Sequence, residues 1–154
     1  MPTKRAASPS YVIHPHGDTT KCVGVTGGVF AQGTVIDIYD CNGSATQQWF
    51  GSDPRMLNPA DGSEWALDIA VSTPQNGVHA VLNRSGDAGE DGSPTQSWNA
   101  FISPNLNQIR LNLSTDKTFC LDLTNGVDSN RNPLQIWECT AGNTNQEWTY
   151  APLA

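Results

Sequence analysis

The chain has 154 residues and a formal net charge of -7, and its 8 basic residues do not cluster. That length fits one domain with a real hydrophobic core. The acidic balance argues against nucleic acid and anionic membranes as partners, and no apolar run reaches the length of a membrane-spanning helix. Charged residues make up only 15 %, beside 14 Gly and 10 Pro, so the chain turns often and makes few long helices.

Residues 1–10 read as a polar N-terminal tail with no apolar stretch of the signal-peptide kind. Lys4-Arg5 reads equally well as the remnant of a dibasic processing site or as ordinary tail. From residue 11 to 154 the chain reads as one domain of short strands and turns. Tyr11 to Ile13, Cys22 to Val25, Val35 to Tyr39 and Gln48 to Phe50 are the strand candidates of the first third. Met56-Leu57, Trp65 to Asp68, Val78 to Leu82 and Trp98 to Ile102 follow in the second, with a longer loop from Gly86 to Thr95 whose Asp87, Glu90 and Asp91, set among Gly86, Gly89 and Gly92, read as a solvated tip. Ile109 to Leu111, Phe119 to Leu123, Leu134 to Trp137 and Trp148 to Tyr150 make the third. No segment shows helical periodicity beyond a turn or two.

Each third ends in a Gln-x-Trp triplet: Gln47-Gln48-Trp49, Gln96-Ser97-Trp98 and Gln146-Glu147-Trp148. One triplet is common by chance, but three evenly spaced triplets mark an internal repeat. The repeats run over about 11–52, 53–104 and 105–151. One repeat cannot bury its own apolar face, so the three must pack around a common axis. Trp49, Trp98 and Trp148 are then core residues, one from each repeat.

The four cysteines form two pairs of equal spacing, Cys22 with Cys41 and Cys120 with Cys139. Equal spacing in two copies suggests a disulfide within each. Closing such a loop stabilises by ~3 kcal/mol in the chain-entropy model, and disulfides place a protein outside the cytosol. Buried free thiols are the alternative. In repeat two Ala66 and Ser85 hold the equivalent positions. Three sequons, at Asn42, Asn83 and Asn112, also point to secretion.

An ungapped alignment from the second to the third strand of each repeat holds in all three copies. The second-strand positions are Gly24, Asp68 and Asp122; thirteen residues on stand Asp37, Val81 and Gln135; fifteen on stand Tyr39, Asn83 and Trp137. Repeat three thereby assembles Asp122, Gln135, Trp137, Asn145 and Gln146. An indole stacks on the C–H face of a sugar, a carboxylate accepts two hydroxyl protons, and Asn and Gln both donate and accept. The bland alternative makes Trp137 a core residue and Asp122 a turn residue.

The pattern Cys-Leu-Asp (120–122), Gln-Ile-Trp-x-Cys (135–139) and Asn-Gln-x-Trp (145–148) resembles the ricin B-type lectins, carbohydrate-binding module family 13, over about Tyr11 to Tyr150. The resemblance implies an all-β β-trefoil with pseudo-threefold symmetry that binds galactose, N-acetylgalactosamine or lactose-type glycans, without enzymatic activity or cofactor. In style the chain is similar to secreted fungal members. Carried over, Asp122 would bond the O3 and O4 hydroxyls and Trp137 would stack. Gln135 and Asn145 would bond hydroxyls, Gln146 would brace the site from within, and the loop at Asn125 would border it. Repeat one departs from the pattern, with Gly24 and Thr46 where repeat three has Asp122 and Asn145. It keeps Asp37, Tyr39 and Gln47 as a second candidate sugar site, either rewired or dead. Repeat two keeps Asp68 but has Asn83 at the stacking position, and no sugar binding is expected there.

One shallow site binds a monosaccharide weakly, so avidity would call for a second site or a homodimer. A loop-acting protein such as a protease inhibitor, or a targeting module of a larger glycosidase, are the alternative functions. His14-Pro15-His16 is read as solvated strand-end residues with no cysteine at ligand spacing, so no metal is expected.

Overall fold

The computed structural model describes residues 10–52, 55–58, 65–85, 94–99, 108–111 and 117–152. The tail at 1–9, the loop at 86–93, the sequon at Asn112 and the strand continuation at 100–102 lie outside them.

Alternating apolar and polar residues with frequent turn chemistry produce short strands. Among the described residues there are twelve. They are β1 (Tyr11–Pro15), β2 (Lys21–Val25), β3 (Thr34–Asp40) and β4 (Phe50–Ser52) in repeat one, and β5 (Arg55–Asn58), β6 (Trp65–Ile69), β7 (Ala80–Arg84) and β8 (Trp98–Asn99) in repeat two. Repeat three supplies β9 (Arg110–Leu111), β10 (Phe119–Leu123), β11 (Leu134–Glu138) and β12 (Trp148–Pro152). The only helical segments described are single 3-10 turns of three residues, and none is long or apolar enough to cross a membrane.

The pairing is cyclic. β4 joins β5, β8 joins β9 and β12 joins β1, so the end of each repeat is hydrogen-bonded to the start of the next. Each repeat also forms one antiparallel hairpin, β2–β3, β6–β7 or β10–β11. The hairpins touch in turn, through Thr34 with Leu82, His79 with Gln135, and Asp37 with Pro133. This is a β-trefoil.

The three tryptophans are buried, and each indole N–H donates to the backbone carbonyl of the equivalent second-strand residue: Trp49 to Val23, Trp98 to Leu67 and Trp148 to Leu121, at 2.9–3.1 Å. A buried indole needs such an acceptor, and the same bond recurs by symmetry around a core rich in Ile, Leu and Val. Of the Gln-x-Trp triplets, the second and third open strands at Trp98 and Trp148 as expected, while the strand expected from Gln48 starts at Phe50. In each, the Gln ends a 3-10 turn, at Ala45–Gln47, Pro94–Gln96 and Thr144–Gln146. The turn carries the amide back under the hairpin, where it takes a backbone carbonyl as acceptor.

Both disulfides are formed, Cys22–Cys41 and Cys120–Cys139. Each ties the start of a hairpin to the segment leaving it. Repeat two closes the same position with Ala66, which packs against Phe50.

The reading of His14 as solvated is wrong. β1 runs under the first hairpin, so His14 is buried, bonds the Lys21 carbonyl through Nδ1 at 2.8 Å, and lies 3.7–3.8 Å from the sulfurs of Cys22 and Cys41. Sequence spacing hid this because the neighbours come from another strand. The two sulfurs are bonded to each other, so this His/Cys cluster offers no thiolate to a metal. His16 does face solvent, 3.1 Å from a Glu147 carboxylate oxygen.

Candidate functional site

Strand geometry alone brings the repeat-three residues together. Asp122 pairs with Gln135 across the β10–β11 ladder, and Trp137 lies two residues further along β11 on the same face. Asp122 is buried, at 3 % exposure, while Trp137 is 42 % exposed, so the indole is not core. Gln135 Nε2 donates to one Asp122 carboxylate oxygen at 3.1 Å and Gln146 Nε2 to the other at 3.1 Å. An ionised carboxylate has about four lone-pair positions, which leaves room for two more donors. Burial pushes the Asp122 carboxyl above its usual range, and the bonds from Gln135 and Gln146 only partly offset this.

Gln146 is fully buried. Its Nε2 also donates to the Glu138 carbonyl at 2.9 Å and its Oε1 accepts from the Thr140 N–H at 2.8 Å. It ties the two ends of the site rather than facing outward. Asn145 is half-buried beside the Thr124–Gly126 turn. A side chain at Gly126 would come within 2.7 Å of the Asn145 amide oxygen, so glycine there is what lets Asn145 sit at the rim. Asn125 is exposed on the same turn, in a left-handed conformation (φ 56°) that Asn tolerates.

Repeat two keeps the aspartate and loses the opening. Asp68 accepts from Thr95 Oγ1 and the Ile69 N–H on one oxygen, and from Asn83 Nδ2 and Gln96 Nε2 on the other, at 2.5–3.2 Å. Four donors fill the carboxylate. Asn83, in the stacking position, also accepts from the Gly33 N–H at 2.9 Å and is held on both sides of its amide.

Repeat one has moved its carboxylate across the ladder. Gly24 pairs with Asp37, and Asp37 is as buried as Asp122. One Asp37 oxygen accepts from Thr26 Oγ1 at 2.9 Å; no hydrogen bond from a described residue reaches the other. Burial pushes this carboxyl up, against the bond from Thr26 and the nearby Arg131 charge. Tyr39 is 37 % exposed. Gln47 is buried and spans the Asp40 carbonyl and the Asn42 N–H. A pocket of about 320 Å³ lies here, lined by Gly24, Asp37, Tyr39, Thr46, Gln47 and, from repeat three, Arg131. Sequence alignment within a repeat could not find Arg131, because it belongs to another copy.

Residues 10–148 match the family described as ricin-type beta-trefoil lectin domain. A comparison with curated protein sequences gives no significant match. Among solved structures the chain is similar to the designed threefold-symmetric protein ThreeFoil, at 19 % identity over 94 % of this chain and 99 % of that one, with TM-score 0.76. It is similar to a ricin B-like lectin of Macrolepiota procera in complex with lactose, at 20 % identity, 96 % and 98 % coverage and TM-score 0.67. It is also similar to the C-half of an earthworm R-type lectin in complex with GalNAc, at 16 % identity, 94 % and 99 % coverage and TM-score 0.69. At such identities the likeness is one of fold, and the family match rests on the sequence itself. With that match running from Ser10 to Trp148, the chain belongs to the ricin-type β-trefoil lectin domain family.

Proposed function

We propose that the chain is a carbohydrate-binding lectin whose principal site is the Asp122/Trp137 face of repeat three, for galactose or N-acetylgalactosamine-type glycans. The observation that carries this reading is the pairing of a buried, half-satisfied carboxylate with an indole exposed on the same face. The galactose class rests on the family and on the lactose and GalNAc bound by two similar proteins.

In this reading adjacent sugar hydroxyls donate to the two open positions of Asp122, and the apolar face of the ring stacks on Trp137. Gln135 and Asn145 bond further hydroxyls, Asn125 borders the pocket, and Gln146 holds Asp122 in place. Repeat one, through Asp37 and Tyr39, is a second site of different chemistry. Two disulfides support an extracellular protein. Each hydroxyl bond replaces one to water, so a single site binds a monosaccharide at about millimolar, near -4 kcal/mol.

A glycan array probed with the parent and with Trp137→Ala tests this. Loss of galactose-terminated signals in the variant is expected. Equal binding by both, or no glycan binding by the parent, would sink the proposal.

A further inference from the structure

Gly33, Gly77 and Arg131 are symmetry mates, each the ninth residue after Gly24, Asp68 and Asp122. Each donates its N–H to the third hairpin strand of another repeat: Gly33 to the Leu82 carbonyl, Gly77 to Ile136 and Arg131 to Ile38, at 2.7–2.9 Å. Each therefore lies beside that repeat's stacking position, Asn83, Trp137 or Tyr39. All three have positive φ, at 83°, 90° and 71°. Two are glycine, as the conformation favours. The third is an arginine, held where an L-residue is strained, and backbone strain of this kind gathers at functional sites.

The side chain that this backbone carries lines the repeat-one pocket. The guanidinium has no hydrogen bond or ion pair with a described residue, and it is exposed. Its charge acts on the Asp37 carboxylate of the same pocket from beyond ion-pair distance. The pocket thus offers at its rim a planar fork that no described residue hydrogen-bonds, an exposed phenol at Tyr39, and a buried acceptor at Asp37. A neutral hexose gives the fork nothing that water does not. A carboxylate or sulfate ester on the sugar gives it a charge-assisted, two-pronged partner. Asp37, inside the pocket, would take hydroxyl protons.

We infer that the repeat-one pocket is a second sugar site specific for acidic sugars, with Arg131 of repeat three as its specificity-determining residue. This rests on the lectin reading and deepens it. The two sites of the molecule then differ in ligand charge, and the open repeat-three site has Gly77 where repeat one has Arg131.

Titration followed by ¹⁵N NMR separates the sites, with the Gly24 and Tyr39 amides reporting on repeat one and the Trp137 indole N–H on repeat three. The probes are methyl β-galactoside, galacturonic acid and galactose 6-sulfate at constant ionic strength, with sodium acetate and sodium sulfate as ion controls. The acidic sugars are expected to shift Gly24 and Tyr39 where methyl galactoside does not, and the two acids identify which anionic group is preferred. Arg131→Gly, the residue of the other repeats, keeps the backbone and should weaken the acidic sugars at repeat one by about tenfold. Its methyl galactoside shifts at Trp137 should stay as in the parent. Unchanged acidic-sugar binding in Arg131→Gly would overturn the inference. So would shifts from the ions alone as large as those from the sugars, or acidic sugars that perturb only Trp137. Neutral sugar at Trp137 with no acidic sugar at Tyr39 would sink this inference alone. Silence of both reporters to every sugar would sink the lectin reading with it.

Discussion

Gly24 faces Asp37 across the β2–β3 ladder at the register where Asp122 faces Gln135 across β10–β11. The repeat-one carboxylate thus comes from the opposite strand, and the space it leaves is occupied by the neighbouring glutamine. A Cβ on Gly24 would lie 3.0 Å from Gln47 Cγ and 3.3 Å from the Thr46 carbonyl oxygen.

Restoring the repeat-three residue singly should therefore harm the fold. Gly24→Asp crowds Gln47 and sets a second carboxylate against buried Asp37. Overpacking of this kind costs roughly 1–3 kcal/mol. Adding Asp37→Gln recreates the Asp/Gln pair of repeat three and should recover part of the loss, with a coupling above about 0.5 kcal/mol. Urea denaturation of the two single variants and the double variant measures it; simple additivity would show that the strands do not exchange roles.

Trp137 and Gln146 should separate binding from stability. Trp137→Ala removes an exposed indole, so the sugar is lost while the melting curve scarcely moves. Gln146→Ala leaves the Thr140 N–H and the Glu138 carbonyl without their partner. It also empties a fully buried position and takes a donor from buried Asp122, a loss of roughly 1–3 kcal/mol, so this variant should melt earlier. Calorimetric titration beside circular dichroism reads both. A Gln146→Ala protein as stable as the parent would refute the bracing role.

Acidity should act on binding from above the ordinary carboxylate range. The Asp122 carboxyl is raised in the folded chain by burial. Between the unfolded value near 3.8 and the raised folded value, the native state holds the extra proton. The stability from that proton is present below the unfolded value and is lost as pH rises through the folded one. Sugar hydroxyls need the ionised form, so affinity should fall as pH drops through the raised value, with proton uptake on sugar release. Titrations in two buffers of different ionisation enthalpy measure the proton. Binding that is flat down to pH 3.8 would rule out ionised Asp122 as the acceptor.

The repeat was legible because symmetry leaves the same mark three times. The tryptophan spacing anticipated three equivalent buried indoles, and the cysteine spacing anticipated both disulfides. The alignment of Asp122, Gln135 and Trp137 anticipated one face, since a ladder in fixed register places them together. Contacts that do not recur from copy to copy, and contacts between copies, were not legible. His14 meets the first disulfide from another strand, and Arg131 enters a pocket whose other residues lie some ninety positions away. Periodicity reports what recurs within a copy, whereas closure of the trefoil decides what meets across copies.

Asp68 and Asp122 hold one repeat position but should answer differently to removal. Asp68 satisfies Thr95, Asn83, Gln96 and the Ile69 N–H, and Thr95 and Gln96 are themselves buried. Asp68→Ala removes the acceptor of four donors at once, each lost bond costing roughly 0.5–1.5 kcal/mol. Asp122→Ala frees only two. Half-exposed Gln135 can turn to solvent, and Gln146 keeps its two backbone partners. The repeat-two variant should therefore lose more stability than the repeat-three variant, yet keep its sugar affinity where folded. The repeat-three variant should stay folded and lose it. Chemical denaturation ranks the stabilities and lactose titration by calorimetry ranks the affinities. The opposite order in both would mean that repeat two carries the open site and repeat three the structural one.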